Sequence, residues 1–408
     1  MTARRLVLVE TGAHQAGGHR DHALDALTDA ARSALVVAPY GVTGESARAL
    51  AVSGVRVVRP AGVLSEALLT ASRMAELVAA AGRRVFASRR WPRMLRRAPH
   101  QATLVGRCLA EVACVRTAHR EAEGASVVVL TASEALHGAV GLLGGPHIRF
   151  VHEVNTTEDL PVRLLGRAAG RGRRAVLALT PTAAVGEELS GRFPGLRVQV
   201  RPFAVADPTE RLTADERDFA RASFGVGDDE AAVCLVGGWW PHKDMDVIDR
   251  ALGWLDAPLH VLVVGWPLDL GLLKRWSRLP QVRLQVVPGP ASPDLVRAVY
   301  AAADAALVAR RPGIAKESGL VIDAVRLGVP LLLSDHDPAL TARVGAADWA
   351  RTFPAGNSAR LAILLSDLPR LPLPRPCPRA AAALGVPTAA DQADYLTRLA
   401  VELKETPR

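Results

Sequence analysis

Short runs of almost purely apolar residues alternate along this chain with longer segments that mix apolar and charged residues. A strand that is apolar at every position must be buried on both faces, and a parallel sheet covered by crossover helices is the arrangement that buries it. In the first half the runs fall at 6–9, 34–38, 55–58, 127–130, 148–151 and 176–179. In the second half they fall at 232–236, 259–264, 282–287, 305–308 and 330–333. Helices are expected between them. In segment 19–31, for example, Leu24, Leu27 and Ala31 recur at spacings of three and four, which places them on one helical face. The fold class is therefore α/β.

A chain of 408 residues exceeds one ordinary core and suits two domains of roughly 200 residues each. Segment 201–208 interrupts the pattern with Pro202 and Pro208 around an extended stretch, so the domains are expected at 1–205 and 206–385. Segment 368–378 carries five prolines and is expected to be irregular; the remaining 386–408 reads as a C-terminal helix.

No run of 18 uncharged apolar residues occurs, so a membrane-spanning helix is not expected. The apolar run after the basic N-terminus stops at Glu10, which reads as a first strand and not as an export signal. Cys108, Cys114, Cys234 and Cys377 form no CxxC pair, which suggests neither a zinc site nor a disulfide framework and fits a reducing cytoplasm. The net charge of +9 is carried almost wholly by arginine; only Lys243, Lys274, Lys316 and Lys404 are lysines. We read the basicity as coding bias, with no nucleic-acid partner expected. Segment 83–97 gathers seven arginines around Val85, Phe86, Trp91, Met94 and Leu95. We read it as a solvated face, with contact to an anionic membrane as the less favoured alternative.

The chemistry concentrates in 310–330. A predicted strand leads into a loop containing Arg310, Arg311, Lys316 and Glu317, then Ser318-Gly319-Leu320 opens a helix that ends at Gly328. Unpaired N–H groups in the first turn, the helix dipole and Lys316 together suit a diphosphate. Glu317 can accept bonds from sugar hydroxyls and Asp323 from a ribose diol. Upstream, a second strand runs into Gly237-Gly238-Trp239-Trp240 and then Lys243, just before another helical stretch. Two of four lysines thus fall beside glycine-bearing strand ends. Trp239, Trp240 and Trp266 sit at such ends as well, where rings can stack on a base or sugar. The loop 12–19 imitates a P-loop, but His19 stands where lysine is required, which excludes that reading.

These segments resemble the retaining GT-B glycosyltransferases of family 4, the group 1 glycosyl transferases. Asp323-Ala324 and Gly328-Val329-Pro330 match the end of that family's signature in register, and Lys243 matches its phosphate-gripping lysine. Three positions depart from the pattern. Ala315 stands at the first glutamate, which leaves Glu317 to take that role through a shortened turn; Asp323 replaces the second glutamate; and Gly238 replaces an arginine. The resemblance implies two Rossmann-like domains facing a shared cleft, with the C-terminal helix crossing back to the first. It implies transfer from a nucleotide-diphosphate sugar, of UDP or GDP type, with retention and without a metal or other cofactor. It assigns His152, Lys243 and Glu317 to catalysis. Donor binding falls to Gly17, Gly18, Gly238, Lys243, Pro288, Arg310, Lys316, Glu317, Ser318, Gly319, Leu320 and Asp323. The acceptor is expected to be a small molecule, with a secondary metabolite as one candidate class suggested by the arginine-rich coding style alone. An epimerase-like GT-B enzyme and a catalytically silent GT-B binding subunit are the competing readings.

Overall fold

The computed structural model describes residues 6–14, 19–31, 35–86, 88, 90–154, 160–206, 211–289, 291–313 and 317–405. The chain divides into two compact units. One is built from Arg20–Val205 with the first strand and the C-terminal Ala389–Arg408, and the other from Ala206–Thr388.

The first unit contains β1 (Leu6–Val9), β2 (Leu35–Val37), β3 (Arg56–Val58), β4 (Ser126–Val129), β5 (His147–Phe150), β6 (Val176–Thr180) and β7 (Arg197–Val200). They form one parallel sheet ordered β3-β2-β1-β4-β5-β6-β7. Alternating side chains feed two cores. Leu6 and Leu8 pack with Leu24, Leu27 and Phe150 on one face, whereas Val7 and Val9 pack with Val112, Val115 and Val140 on the other. The first face also receives Leu396, Leu399 and Leu403 from helix Ala389–Glu405, so the last helix completes this unit's core. On the second face the helix Arg93–Glu121 brings Glu111 beside the fully buried Arg149 of β5; the two form an ion pair, and Glu111 also accepts from the Ser133 amide.

The second unit contains β8 (Ala232–Val236), β9 (Leu259–Gly265), β10 (Val282–Pro288), β11 (Ala305–Val308), β12 (Leu331–Ser334) and β13 (Ala350–Phe353), again parallel and ordered β10-β9-β8-β11-β12-β13. Val233, Leu235, Val261, Val263 and Leu307 pack against helices Met245–Leu252, Leu270–Trp276 and Ser358–Asp367. Segment 368–378 contains no helix or strand.

Eleven strands fall at the apolar runs read from the sequence; β7 and β13 do not. Both lie at the edge of a sheet and carry polar residues, Arg-Val-Gln-Val and Ala-Arg-Thr-Phe, because an edge strand needs to satisfy only part of its surface with apolar neighbours. In each unit the strand order reverses beside the first strand, between β1 and β4 and between β8 and β11. Open parallel sheets bind ligands outside the carboxyl ends of the strands at such a point.

Candidate active site

In the second unit the carboxyl end of β8 opens into glycine. Gly237 takes φ +79° and donates from its N–H to the Val264 carbonyl at 2.7 Å, while any Cβ on Gly265 (φ +135°) would collide with the Gly237 backbone. Gly238 follows, and any Cβ there would run into the Trp266 carbonyl and the Pro267 ring. Any side chain at 238, an arginine included, would have to displace this backbone crossing.

The loop after Gly238 returns along β11. Asp244 donates its N–H to Ala309 at 3.1 Å, Arg311 donates to His242 at 3.0 Å, and Lys243 and Arg310 form an isolated antiparallel bridge. The ends of the two strands at the reversal are thus stitched together, and Asp244 caps the helix that follows by accepting from Val247 N–H. Lys243 Nζ folds back to donate to the carbonyls of Val236 (2.7 Å) and Gly237 (3.1 Å). Burial, reinforced by the nearby Arg310 charge, pulls its pKa down to about 7.

Arg310 is buried and held at both ends. Its backbone N–H donates to Ser334 Oγ at 2.9 Å and its Nη2 donates to Ser318 Oγ at 3.0 Å. Ser318 is the N-cap of helix Gly319–Leu327 but makes no side-chain cap bond, its hydroxyl being engaged by Arg310. The guanidinium is therefore fixed at the start of that helix. Lys243, Arg310, Trp239 and Leu320 share the lining of one small pocket with about 10 Å³ of free space, room for roughly one water. Such a site concentrates positive potential from two side chains and a helix N-terminus.

Behind Arg310 sits His336, buried after β12. Its Nδ1 lies 2.8 Å from the Ser334 carbonyl and 2.9 Å from the Ser334 hydroxyl; burial first, and then the Arg310 charge, lower its pKa to about 4, which keeps the ring neutral. Ser334 and His336 were not singled out in the sequence. The available signal was the polar Ser334-Asp335-His336-Asp337 directly after an apolar run.

The other expected residues occupy varied positions. Glu317 is half-buried in the residue before the cap, and Gly319 and Leu320 form the first turn. Asp323 pairs with Arg326 one turn later on the same helix, at 3.1 Å. Pro288 ends β10 beside Gly265 and is exposed. Trp239 packs on Trp276 with ring centres 5.1 Å apart, whereas Trp240 and Trp266 are exposed. Gly17, Gly18 and Lys316 lie outside the described residues.

In the first unit His152 follows β5; its Nε2 lies 2.9 Å from the Leu130 carbonyl and its ring meets Phe203 edge-on at 4.4 Å. Glu10, at the carboxyl end of β1, is a residue that the sequence reading used only to end a strand. It is buried at this unit's strand reversal and accepts from Gly12 N–H (2.7 Å) and Thr131 Oγ1 (2.8 Å), which ties the loops after β1 and β4 together.

No protein-family model matches the chain. Curated relatives include D-inositol 3-phosphate glycosyltransferases of Rhodococcus erythropolis, 31% identical over 230 residues (49% of this chain and 50% of the relative), and of Nocardia farcinica, 33% identical over 199 residues (43% and 41%). The chain spans about half the length of the curated relatives it matches. Among solved structures, Anabaena HepE in complex with UDP and glucose matches with a TM-score of 0.59 at 15% identity, covering 99% of this chain and 100% of that one. The alpha,alpha-trehalose 6-phosphate synthase of Burkholderia multivorans matches with 0.58 at 13% (99% and 98%), and WaaG, a glycosyltransferase involved in lipopolysaccharide biosynthesis, with 0.53 at 15% (98% and 100%). The chain has the two-domain, Rossmann-like GT-B fold of these structures, and the resemblance to the family 4 glycosyltransferases is supported by the curated relatives over about half of the sequence.

Proposed function

We propose that this chain is a retaining glycosyltransferase that moves a sugar from a nucleotide-diphosphate donor to a small hydroxylated acceptor without a metal ion. The observation that carries the reading is the fixed pair Lys243 and Arg310 at the β8/β11 reversal, beside the helix that opens at Gly319. A diphosphate placed there meets two cations and unpaired backbone N–H groups.

In the reaction the bond between the anomeric carbon and the phosphate oxygen breaks, the acceptor oxygen bonds to that carbon, and the acceptor's proton passes to the departing phosphate. Negative charge grows on the phosphate as the bond breaks. Arg310 is held at the helix start by Ser318, and Lys243 exchanges its bonds to the Val236 and Gly237 carbonyls for the phosphate, so that together they stabilise that charge. Glu317 is assigned to the donor sugar, Asp323 to the ribose after exchanging its bond to Arg326, Pro288 to the base, and Lys316, Gly17 and Gly18 to the phosphates. His152 is assigned to the sugar from the first unit.

The named relatives act on D-inositol 3-phosphate and HepE holds UDP-glucose, which sets the first donor and acceptor to try. The test is incubation of the protein with UDP-, GDP-, ADP- and dTDP-sugars, with D-inositol 3-phosphate or a panel of hydroxylated metabolites, in the presence of EDTA. Stoichiometric nucleoside diphosphate and glycosylated acceptor are expected. Epimerised sugar without transfer points to the epimerase-like reading, and unchanged donors across the panel point to the silent subunit.

A further inference from the structure

The first unit carries a surface that the proposed chemistry does not use. Helix Val63–Val85 packs in a hairpin along helix Arg93–Glu121, which itself lies on the second face of the sheet. They approach closely through small residues: Gly82 lies against Pro99, and Gly106 against the Ser72 backbone. Helix Val63–Val85 buries Ser65, Leu69, Ser72 and Ala79. Its larger apolar residues point the other way. Val63 is 91% exposed, Met74 55%, Leu77 63%, Val78 60% and Val85 57%. At 100° per residue these positions fall within one stripe, with Ala67 and Ala81 between them, and the helix that bears it is about 34 Å long.

The stripe runs into the hairpin tip, where Trp91, Met94 and Leu95 are also exposed and Trp91 meets Phe86 edge-on at 5.3 Å. From residue 77 to residue 110 the chain has eight arginines and no acidic residue. Arg83, Arg84, Arg90, Arg93 and Arg96 are exposed there, interleaved with the apolar side chains. Sequence alone presents this tip as a solvated basic face; it does not reveal that the preceding helix turns its apolar side outward.

We propose that this hairpin docks on the surface of an anionic lipid bilayer, with the Val63–Val85 stripe in the headgroup boundary and the arginines on lipid phosphates. Three features favour that occupant. An apolar stripe joined to a wholly basic tip matches a plane that is apolar below and anionic above. Arginine stems reach along apolar surface while their heads stay at the charge layer. A second copy of the chain carries the same net charge of +9, which opposes its approach to the basic tip.

The test is flotation of the full chain with phosphatidylcholine vesicles containing one-third phosphatidylglycerol, against pure phosphatidylcholine, at low salt and at 1 M salt. Two variants accompany the wild type: the triple change Met74→Gln, Leu77→Gln, Val78→Gln, and the quintuple change of Arg83, Arg84, Arg90, Arg93 and Arg96 to Gln. All altered residues are exposed, and melting curves check that both variants fold. Wild type is expected to float with the anionic vesicles at least tenfold more than with the neutral ones, and each variant to lose at least tenfold of that binding. Absence of wild-type binding at low salt overturns the proposal. So does a stripe variant that binds like wild type, which leaves only diffuse charge attraction. A wild type that stays off vesicles and sediments as a dimer, becoming a monomer in the stripe variant, assigns the stripe to a second copy instead.

Discussion

Lys243 is the residue whose chemistry depends most on its surroundings. An ordinary lysine is charged throughout the neutral range, but here burial and Arg310 bring the pKa down from 10.5 to about 7. Below that value the free protein already carries the ammonium that a diphosphate needs; above it, binding must also take up a proton. Nucleoside diphosphate affinity is therefore expected to fall as pH rises from about 6 to 9, and Lys243→Met to flatten that part of the profile, as titration calorimetry in buffers of different ionisation enthalpy will read. A pH-independent affinity in wild type contradicts the role. Glu317→Gln is expected to leave nucleoside diphosphate affinity nearly unchanged while slowing transfer about tenfold to a hundredfold, since its assigned partner is the sugar and a charge-assisted bond is worth about 1.5–3 kcal/mol. Loss of nucleotide binding with a normal melting curve would move Glu317 to the ribose or to structure.

At this scale the sequence was legible where composition made a residue rare. Lys243 stood out as one of four lysines. Arg310 was one cation among several candidates, because its selection depends on hydrogen bonds to Ser318 and Ser334, which lie 8 and 24 residues away and meet it only once the strands are ordered. Glu10 was hidden for the same reason: its partner Thr131 is 121 residues distant and comes from the neighbouring strand.

Among the elements, eleven strands were visible as apolar runs, the edge strands β3 and β10 included, while β7 and β13 were not. Arg197 and Gln199 in one and Arg351 and Thr352 in the other break the run, as an edge position tolerates. The loop after β8 shows how packing overrides a motif. With the Trp266 carbonyl pressed against Gly238, Gly238→Ala is expected to cost about 1–3 kcal/mol by overcrowding, and Gly238→Arg at least as much, without gain in phosphate affinity. Urea unfolding measures the first and calorimetry the second; a stable Gly238→Arg variant with tighter nucleotide binding would show that the loop can open for the side chain. In the first unit Glu111→Leu leaves Arg149 buried without its partner carboxylate, and a loss of about 3–5 kcal/mol is expected in the same unfolding experiment. A variant as stable as wild type would mean that water reaches Arg149.

Across the whole molecule, two units each build a parallel sheet with its strand order reversing beside the first strand, and each places polar groups at that reversal. The second unit supplies Lys243, Arg310 and the N-terminus of helix Gly319–Leu327; the first supplies Glu10 at the β1/β4 junction and His152 after β5. The fold class could be read from periodicity because it follows from burying apolar strands on both faces. The acceptor could not, because recognition of a small molecule is spread over loops that leave no period in the sequence. The β8/β11 reversal is the proposed grip on a donor diphosphate. Its most direct test is calorimetric binding of UDP, GDP, ADP and dTDP to wild type, Arg310→Gln and His152→Ala. At least one nucleotide is expected to bind wild type, to bind Arg310→Gln at least tenfold more weakly, and to bind His152→Ala unchanged. Equal binding to wild type and Arg310→Gln, or no binding by any of the four, would contradict it.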